Sequence, residues 1–377
     1  MGMCRDMTKE ETNTGELALY RRVSLPSIPA LDGIRALSVL LVILSHLGVS
    51  WASGAHGVMA FFVLSGFLIT WLLLKESEAA GRISLRSFYA RRTLRIFPAF
   101  YVFWITYVVL TWLGQHRTEW PAYISAFFYV SNYYSAIVRP QHMAMAHTWS
   151  LAVEEQFYLL WPWVFRRFRD QLPRLSLILG GLILTVWTYR LIFYASFYND
   201  VWLFCAFDCR ADHLAVGCLT AVLVKRRAFP EVTAWLTRHP AAPLITVALL
   251  AGSMRLGAVW GQPYQFTFGF IFDPLLMSIL MLQWIALSDT PAWKWLDWSP
   301  TRYLGRLSYS AYLYHWIVDY ALNARLQMLP LPVRALAAVA VSNLWASISY
   351  YVIEKPFLRL KRRFEFTRMS PPRAAAR

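Results

Sequence analysis

The sequence GVMAFFVLSGFLITWLLL occupies residues 57–74 and contains no charged side chain. A run of this length is close to the roughly 20 residues that a helix needs to cross the hydrocarbon core of a bilayer. Similar apolar runs recur along nearly the whole chain, so no stretch is long enough for a separate soluble domain. The sequence therefore predicts one integral membrane domain built from helices.

The composition is that of a membrane protein. Of the 377 residues, 58% are hydrophobic and 15% are charged, whereas soluble domains carry about 25% charged residues. The net charge of +16 comes from Lys and Arg residues in short segments between the apolar runs. Membrane topology and anionic lipid headgroups account for these clusters. We therefore expect the lipid bilayer, and no nucleic acid, as their partner.

The four cysteines show no paired spacing typical of a metal site. They are Cys4, Cys205, Cys209 and Cys218, and three of them lie inside or beside apolar segments. We expect buried free thiols and no bound metal, with a disulfide as the alternative.

Ten apolar segments predict an all-α polytopic transmembrane bundle of about ten spans, with both termini in the cytoplasm. The predicted spans are residues 33–50, 56–74, 98–114, 149–165, 174–194, 209–224, 241–258, 266–287, 303–323 and 333–353. The membrane domain covers residues 30–358, between a cytoplasmic tail over 1–29 and a basic cytoplasmic tail over 359–377. The first 29 residues lack the features of a secretory signal.

The basic clusters support this topology because cytoplasmic loops carry the excess of Lys and Arg. With ten spans every strong cluster falls on one side: Arg21 and Arg22, residues 75–95, Arg166 to Arg174, Lys225 to Arg227, and Lys355 to Arg363. This result requires that the aromatic segment 120–138 does not cross the membrane. We expect this segment to re-enter or to lie along the outer interface.

The segment LDGIRALSVLLVILSH, residues 31–46, carries Arg35 and His46 eleven residues apart. This spacing places both side chains on one face of the first span, about 16 Å apart along its axis. Ionisable residues inside a membrane are energetically costly unless they are paired or used, so the pair is a candidate functional site. The alternative is an arginine that anchors the span and a histidine that is satisfied in the core.

The segment HTWSLAVEEQFY, residues 147–158, places His147, Ser150 and Glu154 on one face of the fourth span. Adjacent carboxylates on a helix point in different directions. At most one of Glu154 and Glu155 is therefore expected to face a shared cavity, and Glu154 is our choice. The other carboxylate is expected to meet a different partner.

Two further polar sets accompany the ninth and the sixth span. The set on span nine is a stripe that comprises Ser308, Tyr312, His315 and Asp319. The set at the start of span six comprises Asp208, Arg210 and Asp212. Two explanations fit both sets equally: hydrogen bonding that holds the helices together, and a direct role in catalysis.

The loop between spans two and three, residues 75–98, holds six basic residues against two acidic ones. Arg92 and Arg95 project from one helical face and could clamp phosphate groups with their planar guanidinium forks. Positive-inside topology alone explains the basic excess equally well.

Other common catalytic motifs are absent from the sequence. It contains no metal-binding HExxH, no Gly-rich phosphate loop and no GxSxG nucleophile elbow. The SGF triplet at residues 65–67 is expected to permit close helix packing and not to supply a nucleophile.

Six ordered motifs resemble those of the acyltransferase family 3, membrane enzymes that O-acylate lipopolysaccharide, other surface glycans, nodulation factors and macrolide sugars. The motifs are LDGIRALSVLLVILSH (31–46), GVMAFFVLSGFLIT (57–70), SFYARRTLRIFP (87–98), HTWSLAVEEQFYLLWP (147–162), LGRLSYSAYLYHW (304–316) and IEKPF (353–357). The resemblance implies an O-acyltransferase of the bacterial inner membrane. It also implies acyl-CoA, expected to be acetyl-CoA, as donor and a hydroxyl of a sugar, glycan or glycolipid as acceptor.

The resemblance further implies roles for single residues. His46 becomes the catalytic base, and Arg35 helps to hold the donor. Arg92 and Arg95 match the cytoplasmic R-x-x-R that is linked to acyl-CoA binding. The acidic position of the WSL-x-x-E-E-Q-F-Y motif falls on Glu154 or Glu155, and the polar group before the sixth span falls on Asp208, Arg210 and Asp212.

We combine both lines of reasoning in one mechanistic hypothesis. The donor phosphates meet Arg92 and Arg95, with Arg91 beside them, and Glu154 orients His46 or stabilises its protonated form. The acceptor enters from the periplasmic side, because the polar groups outside the basic loop gather in the outer half. Residues expected to bind the acceptor or to support the bundle are Asp32, His147, Trp149, Glu155, Asp208, Arg210, Asp212, Tyr312 and His315.

Two other functions remain open for such a chain. A transporter also uses His, Glu and Arg within the membrane, often in inverted repeats, and the sequence shows no repeat. A scaffold without catalytic activity would use its polar residues only to pack helices. Dependence of an activity on His46 and on an acyl donor would separate the enzyme from both.

Overall fold

The computed structural model describes residues 18–25, 27–114, 119–139, 145–325 and 328–364, and these residues form helices and no strand. Ten long helices are α1 (Pro29–His46), α2 (Gly54–Ala80), α3 (Leu85–Leu113), α4 (Trp149–Phe168), α5 (Leu172–Ser196), α6 (Phe207–Arg226), α7 (Ala242–Trp260), α8 (Gln262–Leu287), α9 (Ser299–Arg325) and α10 (Leu331–Ser349). Cys4 and most of both predicted tails lie outside the described residues.

Shorter helical segments connect or follow the long helices. They are residues 18–24, Trp120–Phe127, Ser131–Val138, Ala146–Thr148, Asp200–Cys205, Pro230–Arg238, Lys294–Asp297, Lys355–Lys361 and Arg362–Phe364. Five-residue π-helical segments occur within α8, at Gln265–Gly269, and directly after α10, at Tyr350–Glu354.

Each of the ten predicted spans falls on one of the ten long helices. Seven of them, α1, α2, α3, α5, α7, α8 and α10, are long and apolar enough to cross a membrane by length and composition. The other three, α4, α6 and α9, contain more charged and polar residues and do not meet this criterion. The structure thus supports an integral membrane protein with seven candidate spans, and the count of ten stays a prediction.

The aromatic segment before α4 forms two helices of 8 residues each, Trp120–Phe127 and Ser131–Val138. A helix of this length is about 12 Å long, whereas the hydrocarbon core of a bilayer measures about 30 Å. Neither helix is therefore long enough to cross alone, which agrees with the sequence-based expectation for residues 120–138.

The basic clusters come together at one end of the bundle, which we call the basic end. Lys75, Arg91, Lys225 and Lys361 line one cavity there, although they lie far apart in the sequence. The opposite end, where α1 finishes at His46 and α4 begins after His147, is called the histidine end. The positions of these four residues agree with basic clusters on one side of the membrane, which stays a prediction.

Helices α2 and α6 pack backbone against backbone. A Cβ atom added at Gly66 would collide with the carbonyl oxygen of Leu214, and one added at Gly217 would collide with that of Val63. The thiol of Cys218 donates to the Gly66 carbonyl at 3.3 Å. The prediction that the SGF triplet permits close helix packing is therefore confirmed for its glycine.

Helices α1 and α9 form a second close pair. A Cβ atom at Gly305 would collide with the carbonyl oxygen of Asp32, and one at Gly33 would come within 2.7 Å of the carbonyl oxygen of Leu296. The buried cysteines Cys205, Cys209 and Cys218 are free, as predicted.

Replacement of Gly217 by alanine tests the α2–α6 contact. The new methyl group has no room beside the Val63 carbonyl, so we expect the helices to separate and the protein to lose about 1–3 kcal/mol of stability or more. Gly180→Ala on α5 is the matched control, because a Cβ there meets nothing within 4 Å. Equal thermal unfolding temperatures of the two variants in detergent would show that the contact does not stabilise the fold.

Candidate active site

A cavity of about 1230 Å³ opens at the basic end and runs into the bundle between α1, α2, α3, α4 and α9. Its lining on α2 extends from Ala79 at the basic end to Val58 near the histidine end. These two positions are separated by roughly 30 Å along the helix axis. The cavity can therefore hold an extended molecule across most of the thickness of a bilayer core.

Two arginines of the cavity lie near carboxylates without forming an ion pair with them in the described chain. Arg92 and Arg95 both line the cavity, one turn apart on α3. The guanidinium of Arg92 lies over the ring of Tyr158, 4.2 Å from its centroid. Within the described part of the chain neither arginine forms an ion pair or a hydrogen bond. Both guanidinium groups are thus available for an anionic ligand.

The other two predicted donor-binding arginines have partners. Arg91 donates to Glu76 at 2.5 Å and to the carbonyl oxygen of Phe364 at 2.7 Å. Arg35 donates to Asp32 at 2.9 Å, which assigns to Asp32 a role in holding this arginine. Both arginines line the cavity, but their charge is partly neutralised, so the free anion-binding capacity lies with Arg92 and Arg95.

Both carboxylates of the Glu154–Glu155 pair line the cavity. The expectation that at most one of them would do so is wrong. The physical reason is the width of the cavity, which surrounds enough of α4 to receive two side chains that point about 100° apart.

The structure also corrects the expected partner of Glu154. Its Oε1 accepts a hydrogen bond from the Ser65 hydroxyl at 2.9 Å, beside Tyr158 on the cavity wall. Among the described residues Glu154 makes no hydrogen bond with His46. Ser65 is therefore part of the site. It precedes Gly66 on α2, and its hydroxyl points towards α4.

The inner end of the cavity is closed by two hydroxyl groups. Ser150 and Tyr312 both line the cavity, and their oxygens lie 2.6 Å apart in a hydrogen bond. Tyr312 also donates to the carbonyl oxygen of His147 at 2.8 Å. This Ser150–Tyr312 pair therefore lies between the cavity and the histidines, because the Tyr312 ring is 5.7 Å from that of His147 and 5.4 Å from that of His315.

Three histidines meet beyond the Ser150–Tyr312 pair. The ring of His315 lies 5.1 Å from the ring of His46 and 5.3 Å from that of His147. The indole of Trp316 lies 5.0 Å from His46 and stacks on His147 at 5.4 Å. His147 and His315 are buried, whereas His46 is exposed at the end of α1. We call these four residues the histidine cluster.

The structure thus divides sets that the sequence pattern had joined. Arg35 lines the cavity, whereas His46 belongs to the histidine cluster. His147 lies in the turn before α4, with its ring in the same cluster, whereas Ser150 and Glu154 line the cavity. Residues on one face of a helix can contribute to both the cavity and the histidine cluster, because the face continues past the Ser150–Tyr312 pair along the length of the bundle.

The polar group at the start of α6 lies outside the cavity. Asp212 is buried and accepts hydrogen bonds from Arg190 at 3.0 Å and from the Trp187 indole at 2.9 Å. It also pairs with His213 at 2.8 Å. Asp208 accepts from the Trp202 indole at 2.9 Å. The contacts of Asp212 join α5 to α6, and that of Asp208 joins the short helix Asp200–Cys205 to α6. Both sets of contacts favour the structural reading of the two aspartates.

Arg210 is fully buried and surrounded by aromatic rings. Its guanidinium lies 4.1 Å from the ring centre of Phe270 and between 5.5 and 5.7 Å from the rings of Phe204, Trp149 and Phe62. Cation–π attraction offsets part of the cost of burying this charge. Trp149 therefore packs on Arg210 in the interior, and neither residue lines the cavity.

Sequence reasoning missed several polar residues that the structure shows to be paired. Apart from Arg174 at its first position, the predicted span 174–194 contains one charged residue, Arg190. An isolated charge in an apolar run indicates a buried partner or a functional site. The same signal marks Asp273 in α8, which pairs with His56 at 3.0 Å. Ser65 gave no comparable signal, because a serine in a membrane helix usually packs.

Among the described residues no group of three or more His, Cys, Asp and Glu side chains could hold a metal ion. The side chains present offer anion binding in the cavity and proton transfer at the histidine cluster.

Comparison with known proteins adds an independent finding. The chain is 32% identical to a protein named peptidoglycan O-acetyltransferase OatA from Listeria monocytogenes, over 89% of this chain and 56% of that protein. It is 30% identical to the O-acetyltransferase OatA of Staphylococcus aureus, over 87% of this chain and 57% of that protein. The chain thus spans little more than half the length of these relatives.

No solved structure matches the chain significantly. The sequence model of the acyltransferase family 3, described as an acyltransferase domain, matches residues 28–352. This match covers all ten long helices, from the start of α1 to the end of α10, and with them the cavity between α1, α2, α3, α4 and α9. The chain therefore belongs to the acyltransferase family 3.

Proposed function

We propose that this protein transfers an acyl group, expected to be acetyl, from acyl-CoA to a hydroxyl group of a glycan. The observation that carries the proposal is the cavity itself. It begins at an array of arginines, runs roughly 30 Å through the bundle and ends at a hydroxyl pair in front of three histidines. The named relatives are O-acetyltransferases, and the name of the Listeria protein gives peptidoglycan as acceptor.

The donor enters from the basic end. Its phosphate groups bind Arg92 and Arg95, whose guanidinium groups have no carboxylate partner in the described chain. Planar guanidinium groups bind phosphate oxygens in pairs, and such charge-assisted hydrogen bonds are about twice as strong as neutral ones. The acyl arm then follows the apolar wall of α2 inward, past Leu68 and Phe61, to the Ser150–Tyr312 pair.

Transfer takes place where the cavity and the histidine cluster meet. The acceptor oxygen attacks the thioester carbonyl, and its proton passes to the neutral imidazole of His46. The C–S bond breaks, and the leaving thiolate recovers the proton from the imidazolium. An imidazole suits both steps because its ordinary pKa lies near neutral pH. The hydrogen bond between Ser150 and Tyr312 has to open for the thioester to reach this point.

The acceptor arrives from the histidine end, where the ring of His46 is exposed. In this proposal the basic end and both termini lie in the cytoplasm, as the positive-inside rule favours, and the histidine end lies on the outer face of the bacterial inner membrane. Donor and acceptor would then approach from opposite sides, which fits a cytoplasmic donor and a glycan outside the membrane.

The proposal is tested with the purified protein in lipid discs. Labelled acetyl-CoA and fragments of peptidoglycan are supplied together, and the label is expected to appear in the glycan as an alkali-labile ester. Binding of acyl-CoA is measured in parallel by equilibrium titration. Failure to bind any acyl-CoA would contradict the donor assignment and favour a transporter; binding without transfer to any hydroxyl compound would contradict the enzymatic assignment.

A further inference from the structure

Three residues at the histidine end carry five of the buried polar atoms that have no hydrogen-bond partner in the described chain. The atoms are both ring nitrogens of His147, Nε2 of His315, and both carboxylate oxygens of Asp319. The three side chains belong to residues that are between 0% and 5% exposed. Within the described chain these five atoms make no hydrogen bond, although a buried polar atom left unsatisfied costs about 1–3 kcal/mol. Such a group of atoms points to a polar ligand.

The hydrogen-bonding character of these atoms selects the ligand. Nδ1 of His315 lies 2.5 Å from the carbonyl oxygen of Tyr312, so Nδ1 carries the proton and Nε2 is left as an acceptor. When it is ionised, the Asp319 carboxylate contributes two further acceptors. A surface dominated by acceptors suits a ligand with several O–H donors, and it repels a phosphate or carboxylate ligand.

The positions of these side chains fit a ring-shaped ligand. Asp319 follows His315 by four residues on α9, so it lies on the same helix face about 6 Å farther from the cavity. Trp316 is partly exposed and stands between His46 and His147. Its indole offers a flat apolar surface, and an aromatic plane beside a carboxylate is the combination that binds the apolar face and the hydroxyls of a sugar.

We propose that Asp319, His315 and His147 form the acceptor subsite, and that Asp319 accepts hydrogen bonds from hydroxyls next to the one that is acylated. The ligand class is a neutral polyhydroxylated ring. This inference rests on the proposed function, because it places the reacting hydroxyl at His46. Asp319 is a binding residue in this scheme and takes no part in proton transfer.

The test pairs a change in the protein with a change in the acceptor. Wild type and Asp319→Asn are assayed with a sugar acceptor and with its analogue that lacks the hydroxyl adjacent to the acylated one. For wild type, removal of that hydroxyl should lower kcat/KM by about tenfold or more, as expected for loss of a hydrogen bond to a charged group. For the variant, the two acceptors should differ by less than about threefold, which shows coupling of the hydroxyl to Asp319.

Controls separate a binding role from a structural one. Asp170→Asn removes a carboxylate that is exposed at the basic end and bound to Arg169, and it should keep the wild-type difference between the acceptors. The KM for acyl-CoA should stay unchanged in both variants. The same sensitivity to hydroxyl removal in Asp319→Asn as in wild type would overturn the inference. Absence of transfer in wild type would instead count against the proposed function.

Discussion

His46→Ala is expected to lower the rate of acyl transfer by about 10²–10⁴-fold, the usual contribution of a general base. The imidazole is the only exposed histidine ring of the histidine cluster, next to His315 and Trp316. Alanine leaves no group to accept the proton of the attacking hydroxyl. Acyl-CoA should still bind with unchanged affinity, because the donor phosphates lie at the opposite end of the cavity. Initial rates and donor titrations in lipid discs measure the two quantities separately.

The matched control for this variant is His239→Ala. His239 is exposed outside the cavity and accepts a hydrogen bond only from the backbone of Ala241 among the described residues. Its removal should leave turnover unchanged. Turnover of His46→Ala within a factor of a few of wild type would refute the base assignment, and an equal loss in both variants would indicate an unspecific effect on folding.

Replacement of Arg92 and Arg95 together by alanine should weaken acyl-CoA binding by at least about 100-fold. Each guanidinium is free to make charge-assisted hydrogen bonds to phosphate, worth about 1.5–3 kcal/mol apiece, and each 1.4 kcal/mol changes affinity tenfold. The effect should appear in the KM for the donor, with kcat much less affected at saturating donor. Arg174→Ala, an exposed arginine bound to Gln171, is the control.

A truncated donor makes this prediction specific. An acylated pantetheine fragment without phosphate groups has nothing for the two arginines to bind, so wild type and the double variant should use it equally poorly. If the double variant loses activity with the fragment to the same extent as with acyl-CoA, the arginines support the fold and do not bind phosphate.

The fold could be predicted to a large extent from apolar run length. The energetic demand that backbone groups in lipid be hydrogen-bonded within one helix leaves few alternatives to a helical bundle. Each of the ten predicted segments falls on a long helix, and Gly66 serves close packing as expected. Helices α4, α6 and α9 fall short of the composition of a simple span. Glu154 on α4 and His315 on α9 belong to the candidate site, whereas Asp212 on α6 pairs with Arg190.

The site was harder to predict because helical periodicity gives the face of a residue but not its depth or neighbours. The spacing of Arg35 and His46 suggested one continuous path, yet Ser150 and Tyr312 come between the two compartments. The sequence also could not show that both Glu154 and Glu155 line the cavity, because this depends on the width of the cavity. Pairings such as Arg190 with Asp212 join two helices, and one-dimensional spacing contains no information on such partners.

The Ser150–Tyr312 pair has a consequence for the membrane itself. A cavity that opens on one side and reaches through most of the bilayer would be a leak for protons and ions if its inner end were open. In the proposed mechanism the hydrogen-bonded hydroxyl pair would act as a seal, while the phosphates of a donor bound at Arg92 and Arg95 would stay near the entrance. Only an uncharged acyl carbonyl then moves past the seal, and an uncharged group does no work against the membrane potential, which costs about 2.3 kcal/mol per charge and 100 mV. Under the proposed function, the cell would export an acyl group without exporting its carrier or spending its ion gradient.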